Sequence, residues 1–191
     1  MSSHHIIRDE QEPPVLVFQL NENWQELSEL LGWSPVLLID PLLKEFFELR
    51  KTKIDGYILN DKSKIEFTVN DIHYQENLLG KYLLNWISIK NYTAINIFCD
   101  NHLMLNLFSS FKGVRLPIPF IFFTEEGKFI LKPNSIYKKW YPSGFMLNVL
   151  NADVIKTQNL EQGAGSYRVK KDGFISIEVE GDFILLNERS N

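Results

Sequence analysis

Val36-Leu37-Leu38-Ile39-Asp40-Pro41-Leu42-Leu43 sets the fold class of the chain. Its four leading apolar residues suit a strand buried on both faces. Asp40 then stands where a carboxylate can cap a helix, and Pro41 suits the first helical turn, where a missing N–H leaves nothing unpaired. Leu42, Leu43, Phe46 and Leu49 follow as the apolar face of that helix. A buried strand feeding directly into a helix is one unit of an α/β sheet.

The alternation extends in both directions. Val15-Leu16-Val17-Phe18 is a short apolar run, and Asn23, three residues before Glu26, reads as the start of a capping box. Trp24, Leu27, Leu30 and Leu31 then share a helical face. Tyr57-Ile58-Leu59 forms a third strand, and the spacing of Leu78, Leu79, Tyr82, Leu83, Trp86 and Ile87 marks a long helix. Residues 94–99 form a fourth strand, leading into a helix through Met104, Leu107, Phe108 and Phe111. Beyond Pro117-Ile118-Pro119 helical periodicity stops. Short runs at 120–123, 129–131, 145–149, 167–169, 174–179 and 183–186 take over, separated by turns such as Glu126-Gly127, Asp172-Gly173 and Glu180-Gly181-Asp182. The expected fold is therefore α/β, with an N-terminal mostly parallel sheet flanked by helices over 1–118 and a small C-terminal antiparallel β domain over 119–191.

Composition narrows the function. The chain has 191 residues, 45% of them hydrophobic and 13% aromatic, enough to bury a core. Twenty basic residues face 24 acidic ones, a formal charge of -4. Lys138-Lys139 and Lys170-Lys171 read as solvated surface rather than as a nucleic-acid stripe. Cys99 is the only cysteine, which excludes an internal disulfide or a multi-thiolate metal site. The N-terminal segment lacks the apolar core of a signal peptide, and no apolar stretch approaches membrane-spanning length. A cytoplasmic protein without nucleic-acid or membrane partners is the expectation.

Ligands of open α/β sheets bind beyond the carboxyl ends of the strands. The segments there are Asp40, then Asn60-Asp61-Lys62-Ser63, then Asp100-Asn101-His102. Neither G-x-x-x-x-G-K-[ST] nor G-x-G-x-x-G occurs, so both standard phosphate cradles are missing. Asp40 suits a ribose or metal ligand and equally a helix cap. His102, beside Asp100, reads as an acid or base or as a structural residue at a helix start. Cys99 has no identifiable base partner, and His4-His5 with Asp9 and Glu10 reads as tail.

The order of these segments resembles thiamin pyrophosphokinase, the family that transfers a pyrophosphoryl group from ATP to the thiamin hydroxyl. Leu37-Leu38-Ile39-Asp40-Pro41 is similar to that family's strand ending in A-D-G, with Pro41 in place of the glycine. Leu59-Asn60-Asp61-Lys62-Ser63 stands where the family carries G-D-F-D-S, so its two metal-binding aspartates become Asn60 and Lys62 and Ser63 is the match. Asn77-Leu78-Leu79-Gly80-Lys81 resembles T-D-x-x-K-A, keeping Lys81 and placing Leu78 at the acid. Asn101-His102-Leu103-Met104-Leu105-Asn106 resembles D-H-x-x-x-N, keeping His102 and Asn106. Gly144-Phe145-Met146-Leu147 looks like the glycine-led strand of the thiamin domain, and Gly165-Ser166-Tyr167 stands near its S-N pair, with Tyr167 replacing the asparagine.

The resemblance implies an α/β nucleotide domain, a β-rich thiamin domain and a homodimer that forms the site between subunits. Magnesium and ATP are the implied cofactors if the chain is active. Pyrophosphoryl transfer relies on a divalent cation, and magnesium prefers carboxylate, water and phosphate oxygens. Lys62 at a metal-binding position would repel the cation by roughly 4 kcal/mol for unit charges about 4 Å apart at an effective dielectric of about 20. It can also contact phosphate itself or sit in a surface loop. The leading expectation is a catalytically impaired relative that binds thiamin or a nucleotide. The alternatives are an active kinase with a magnesium site rearranged onto Asp40, Asp55, Asp61 and Asp100, and a non-catalytic interaction dimer with Trp140 and Tyr141 at its surface.

Overall fold

The computed structural model describes residues 12–20, 23–33, 35–60, 71–75, 78–151, 153–163 and 165–189. Its first half alternates β1 (Val15–Val17), α1 (Trp24–Leu31), β2 (Leu37–Ile39), a 3₁₀ turn (Pro41–Leu43), α2 (Lys44–Leu49), β3 (Gly56–Asn60), β4 (Ile72–Tyr74), α3 (Leu79–Lys90), β5 (Ile95–Phe98) and α4 (Asn101–Ser110). The second half is strand after strand: β6 (Phe120–Thr124), β7 (Gly127–Pro133), β8 (Ile136–Tyr141), β9 (Met146–Val149), β10 (Val154–Gln158), β11 (Leu160–Gln162), β12 (Tyr167–Val169), β13 (Gly173–Val179) and β14 (Phe183–Arg189).

Eleven strands form one sheet in the order β11-β12-β9-β14-β7-β6-β5-β1-β2-β3-β4, and β10-β13-β8 form a second. The strands from β6 to β4 are parallel, the rest antiparallel. The α/β class and the antiparallel C-terminal sheet are as expected. β6 differs from the expectation: it pairs antiparallel with β7 but also parallel with β5, so the main sheet runs on across residue 118.

Strand pleating divides the core. Val15, Val17, Leu37, Ile39 and Phe98 point to the face covered by Leu27 of α1 and Phe47 of α2. Leu16, Leu38, Ile58, Ile95 and Ile97 point to the face covered by Leu83, Trp86 and Ile87 of α3 and Met104 and Leu107 of α4. In the antiparallel half, Ile130, Ile184 and Leu186 turn toward Tyr137, Ile175, Ile177 and Val179 of the small sheet. Two sheets packed face to face thus extend an α/β layer structure.

Three expectations are corrected. Asn23 makes no cap bond to its helix. Its Nδ2 donates instead to the Thr124 carbonyl at 2.9 Å, tying the start of α1 to the end of β6. In the segment after Asp40, Leu42 and Leu49 are exposed while Phe47 is fully buried. The cause is the 3₁₀ turn, whose three residues per turn shift the phase of the helix after it. Leu78 precedes α3 and is exposed, so the buried stripe is Leu79, Leu83, Trp86 and Ile87.

α3 reaches α4 by close approach at Gly80. A Cβ there would lie 2.0 Å from Ser110 Oγ and 3.0 Å from Ser110 Cβ. Ser110 Oγ donates to the Leu107 carbonyl at 2.7 Å, so moving it breaks a bond. Gly80→Ala is expected to destabilise by about 1–3 kcal/mol through overpacking. Combined with Ser110→Gly it should cost less than the sum of the single changes, which denaturant titration of the four proteins measures.

Candidate functional site

The carboxyl edge of the parallel strands gathers residues from several connections. Asp40 ends β2 and turns inward on its own backbone: its Oδ1 accepts from Leu42 N at 2.9 Å and caps the 3₁₀ turn. Asp100, two residues after β5, does the same, with Oδ1 accepting from Leu103 N at 2.7 Å to cap α4. Both acids lie where a polar group after a buried strand meets the unpaired N–H groups of a helix start.

Around Asp100 the edge becomes denser. Asn101 N donates to Glu125 Oε1 at 3.2 Å, bringing the β6–β7 turn against the start of α4. Asn101 Oδ1 is shielded from solvent without a hydrogen-bond partner among the described residues. His102 and Asn106 face solvent together, with Nε2 and Nδ2 3.1 Å apart one helical turn from each other. Burial pushes the Cys99 thiol up to about 12, and the charges of Asp100 and Glu125 add to this against a hydrogen bond from the Met104 backbone. Such a thiol carries negligible thiolate at neutral pH and is no nucleophile.

The remaining candidate positions divide. Asn60 closes β3 at the same edge. Asp61, Lys62 and Ser63 lie outside the described residues. Lys81 follows Gly80, whose contact is with Ser110 at the far end of α4 from His102, roughly 12 Å along the helix. Asp55 is at the opposite edge: its Oδ2 accepts from Leu37 N at 3.1 Å, at the start of β2, and its other oxygen pairs with Lys53. A strand length therefore separates Asp55 from Asp40. Among the described residues no three His, Cys, Asp or Glu side chains come together as a metal site.

In the C-terminal half, Gly144 has φ +83 and bonds through its N–H to the Val169 carbonyl. Ser166 and Tyr167 instead line a 400 Å³ cleft with residues of β10, near the other end of β12. The thiamin-region candidates are thus split between two places.

Sequence reading missed a polar node beside this edge. Glu188 of β14, 8% exposed, pairs through Oε2 with Lys128 at 3.1 Å and through Oε1 with Lys139 at 2.6 Å. The same Oε1 accepts from Tyr141 and, at 3.4 Å, from Tyr137, while the two tyrosine hydroxyls meet at 2.6 Å. Burial works to raise the Glu188 pKa, but Lys128, the hydrogen bonds from Lys139 and Tyr141 and the charge of Lys139 outweigh it and hold the carboxyl below its usual range. Burial and the neighbouring oxygens drive the Tyr141 phenol far up. Tyr141 is therefore interior, which corrects its expected place on an exposed aromatic surface; Trp140, its neighbour, is exposed. Glu188 and Lys128 also line a 430 Å³ cleft with Asn23, Glu26, Phe123 and Phe145. Alternation of Tyr137, Lys139 and Tyr141 was the available signal, hidden because the inward-facing residues are polar.

A parallel sheet with its polar connections at one edge, continued by an antiparallel sandwich, is the fold of the thiamin pyrophosphokinases. Solved structures with this fold include the enzyme from Bacillus subtilis, which matches with a TM-score of 0.63 at 10% identity over 94% of this chain and 100% of its own. Those from Candida albicans, at 0.56 and 13% over 94% and 90%, and Geobacillus thermodenitrificans, at 0.59 and 9% over 93% and 97%, match likewise. No family model and no curated protein matches the sequence. At these identities the likeness is one of fold. Among the described residues no helix is long and apolar enough to cross a membrane.

Proposed function

We propose that the chain is a thiamin pyrophosphokinase-like protein that binds thiamin or a nucleotide and is impaired in pyrophosphoryl transfer. The observation that carries this is the use of Asp40 and Asp100 as helix caps, each holding a backbone N–H with Oδ1. A carboxylate committed to a cap is constrained in direction, and magnesium asks for near-octahedral oxygen geometry. Asn101 follows the second cap and Asn60 closes β3, each with a neutral amide, and Asp55 belongs to the other edge. The described residues do not fit the carboxylate set a magnesium–ATP complex needs. In this reading 1–118 is the nucleotide side and 119–191 the thiamin side of a cytoplasmic homodimer.

The test is incubation of the purified protein with thiamin, ATP and magnesium, following thiamin diphosphate and AMP. The expected result is no turnover above background, together with a thermal shift from thiamin or ATP. Robust turnover abolished by Asp40→Asn or Asp61→Asn would overturn the impaired reading, and the lack of any shift would overturn the binding.

A further inference from the structure

A cavity of 960 Å³ lies at the amino edge of the sheet, and none of the nucleotide or thiamin candidates discussed above lines it. Three connections build it: 113–117 between α4 and β6, 133–135 between β7 and β8, and 181–183 between β13 and β14. Asn134 N donates to the Asp182 carbonyl at 2.8 Å and locks two of these walls together. The floor is Leu116, 5% exposed, and Phe183, half-buried with its ring edge-on to Phe108 at 5.8 Å. Gly113 and Gly181 have φ +74 and +121, and a Cβ at either would meet nothing within 4 Å, so open space adjoins the backbone on both sides.

The walls carry one charge of each sign. Arg115 comes from the first connection and Asp182 from the third; both are exposed, and among the described residues neither side chain forms an ion pair. Asn134 and Ser135 add an amide and a hydroxyl to the lining. An anion entering this space meets Asp182 and a cation meets Arg115, so a ligand with a single charge is disfavoured by one wall. A neutral apolar molecule uses the floor and leaves both charges unanswered. A ligand with a carboxylate, an ammonium and an apolar body answers all three features, and the volume lies near the top of the range of about 300–1,000 Å³ for small-molecule sites. That is larger than a free amino acid requires.

We propose that this cavity binds a short zwitterionic peptide, its carboxylate on Arg115, its amino group on Asp182 and an apolar side chain on Leu116 and Phe183. The guanidinium offers the paired donors a carboxylate fits, and Asn134 and Ser135 are placed for the peptide group.

Leucyl-leucine and its blocked form, N-acetyl-leucyl-leucinamide, are titrated into the full chain and binding is followed by calorimetry. The free dipeptide is expected to bind, and the blocked one, with the same apolar body, at least about tenfold more weakly, the scale of one charge-assisted hydrogen bond lost. Arg115→Gln and Asp182→Asn should each weaken the free dipeptide by about tenfold while leaving the blocked one unchanged. Both residues are exposed, so circular dichroism melts of the variants should match the parent. No heat with the free dipeptide at millimolar concentration, equal binding of the two forms, or indifference to both substitutions would overturn the proposal. A dimer by light scattering that Arg115→Gln or Asp182→Asn dissociates would instead assign the cavity to a second copy of the chain.

Discussion

Glu188→Ala is expected to lower the free energy of unfolding by about 3 kcal/mol, within the range for removing one partner of a buried charge pair. Glu188 joins three strands through its side chain: Lys128 on β7, and Tyr137, Lys139 and Tyr141 on β8 of the other sheet. Its removal leaves two buried hydroxyls with only each other, and two ammonium groups facing the gap. The lysines are 34% and 40% exposed and can regain water, which keeps the estimate at the lower end of that range. The tyrosines cannot move out, because Tyr137 and Tyr141 belong to the core between the sheets. Urea denaturation of Glu188→Ala and Glu188→Gln checks this; a loss under about 0.5 kcal/mol, the range of an ordinary surface change, would show the node to be idle.

The same carboxyl fixes the direction of a pH effect. Its pKa in the fold is lowered from an ordinary 4.5, so the unfolded chain holds the proton more tightly. Stability from this group is complete above the unfolded value and declines as the pH falls through the folded one. Stability measured downward from pH 6 should fall below about pH 4.5, and Glu188→Gln should remove that part of the slope.

Most of the parallel half was legible because its strands are buried on both faces and read as unbroken apolar runs, as in Val15-Leu16-Val17 and Leu37-Leu38-Ile39. Asp40 and Asp100 were legible as residues that follow such strands, and their cap bonds are what that position favours. The strands not anticipated share a different character. β4 has three residues with one buried, and β10 and β11 are short with exposed positions, so no alternation marks them. β8 does alternate, but its inward side is Tyr137, Lys139 and Tyr141, and a lysine on the inward side is intelligible only once its carboxylate, 49 residues away, is known. Glu125 escaped notice for a related reason: a turn residue of a hairpin becomes part of the carboxyl edge only because β6 pairs with β5.

Phe47→Ala is expected to cost about 3–5 kcal/mol, against no more than about 0.5 kcal/mol for Leu42→Ala or Leu49→Ala. Helical spacing alone ranks them the other way, since Leu42, Leu43, Phe46 and Leu49 form a plausible stripe. The backbone decides it. Asp40 caps a 3₁₀ turn through Leu42 N, and rotation of about 120° per residue there rather than about 100° carries Leu42 outward before α2 begins. α2 then presents Phe47 to Val15, Val17, Leu37 and Ile39, while Phe46 sits edge-on to Trp24 at 5.2 Å and under the Arg50 guanidinium at 3.6 Å. Phe47 is fully buried, whereas Leu42 and Leu49 are 92% and 82% exposed. Truncating Phe47 opens a cavity against four strand residues that cannot collapse without distorting the sheet. Truncating Leu42 removes a side chain already in water. Thermal and urea unfolding of the three single variants distinguishes the two phases of the helix directly, and a Leu42 cost equal to that of Phe47 would restore the continuous α-helical reading of the segment after Asp40.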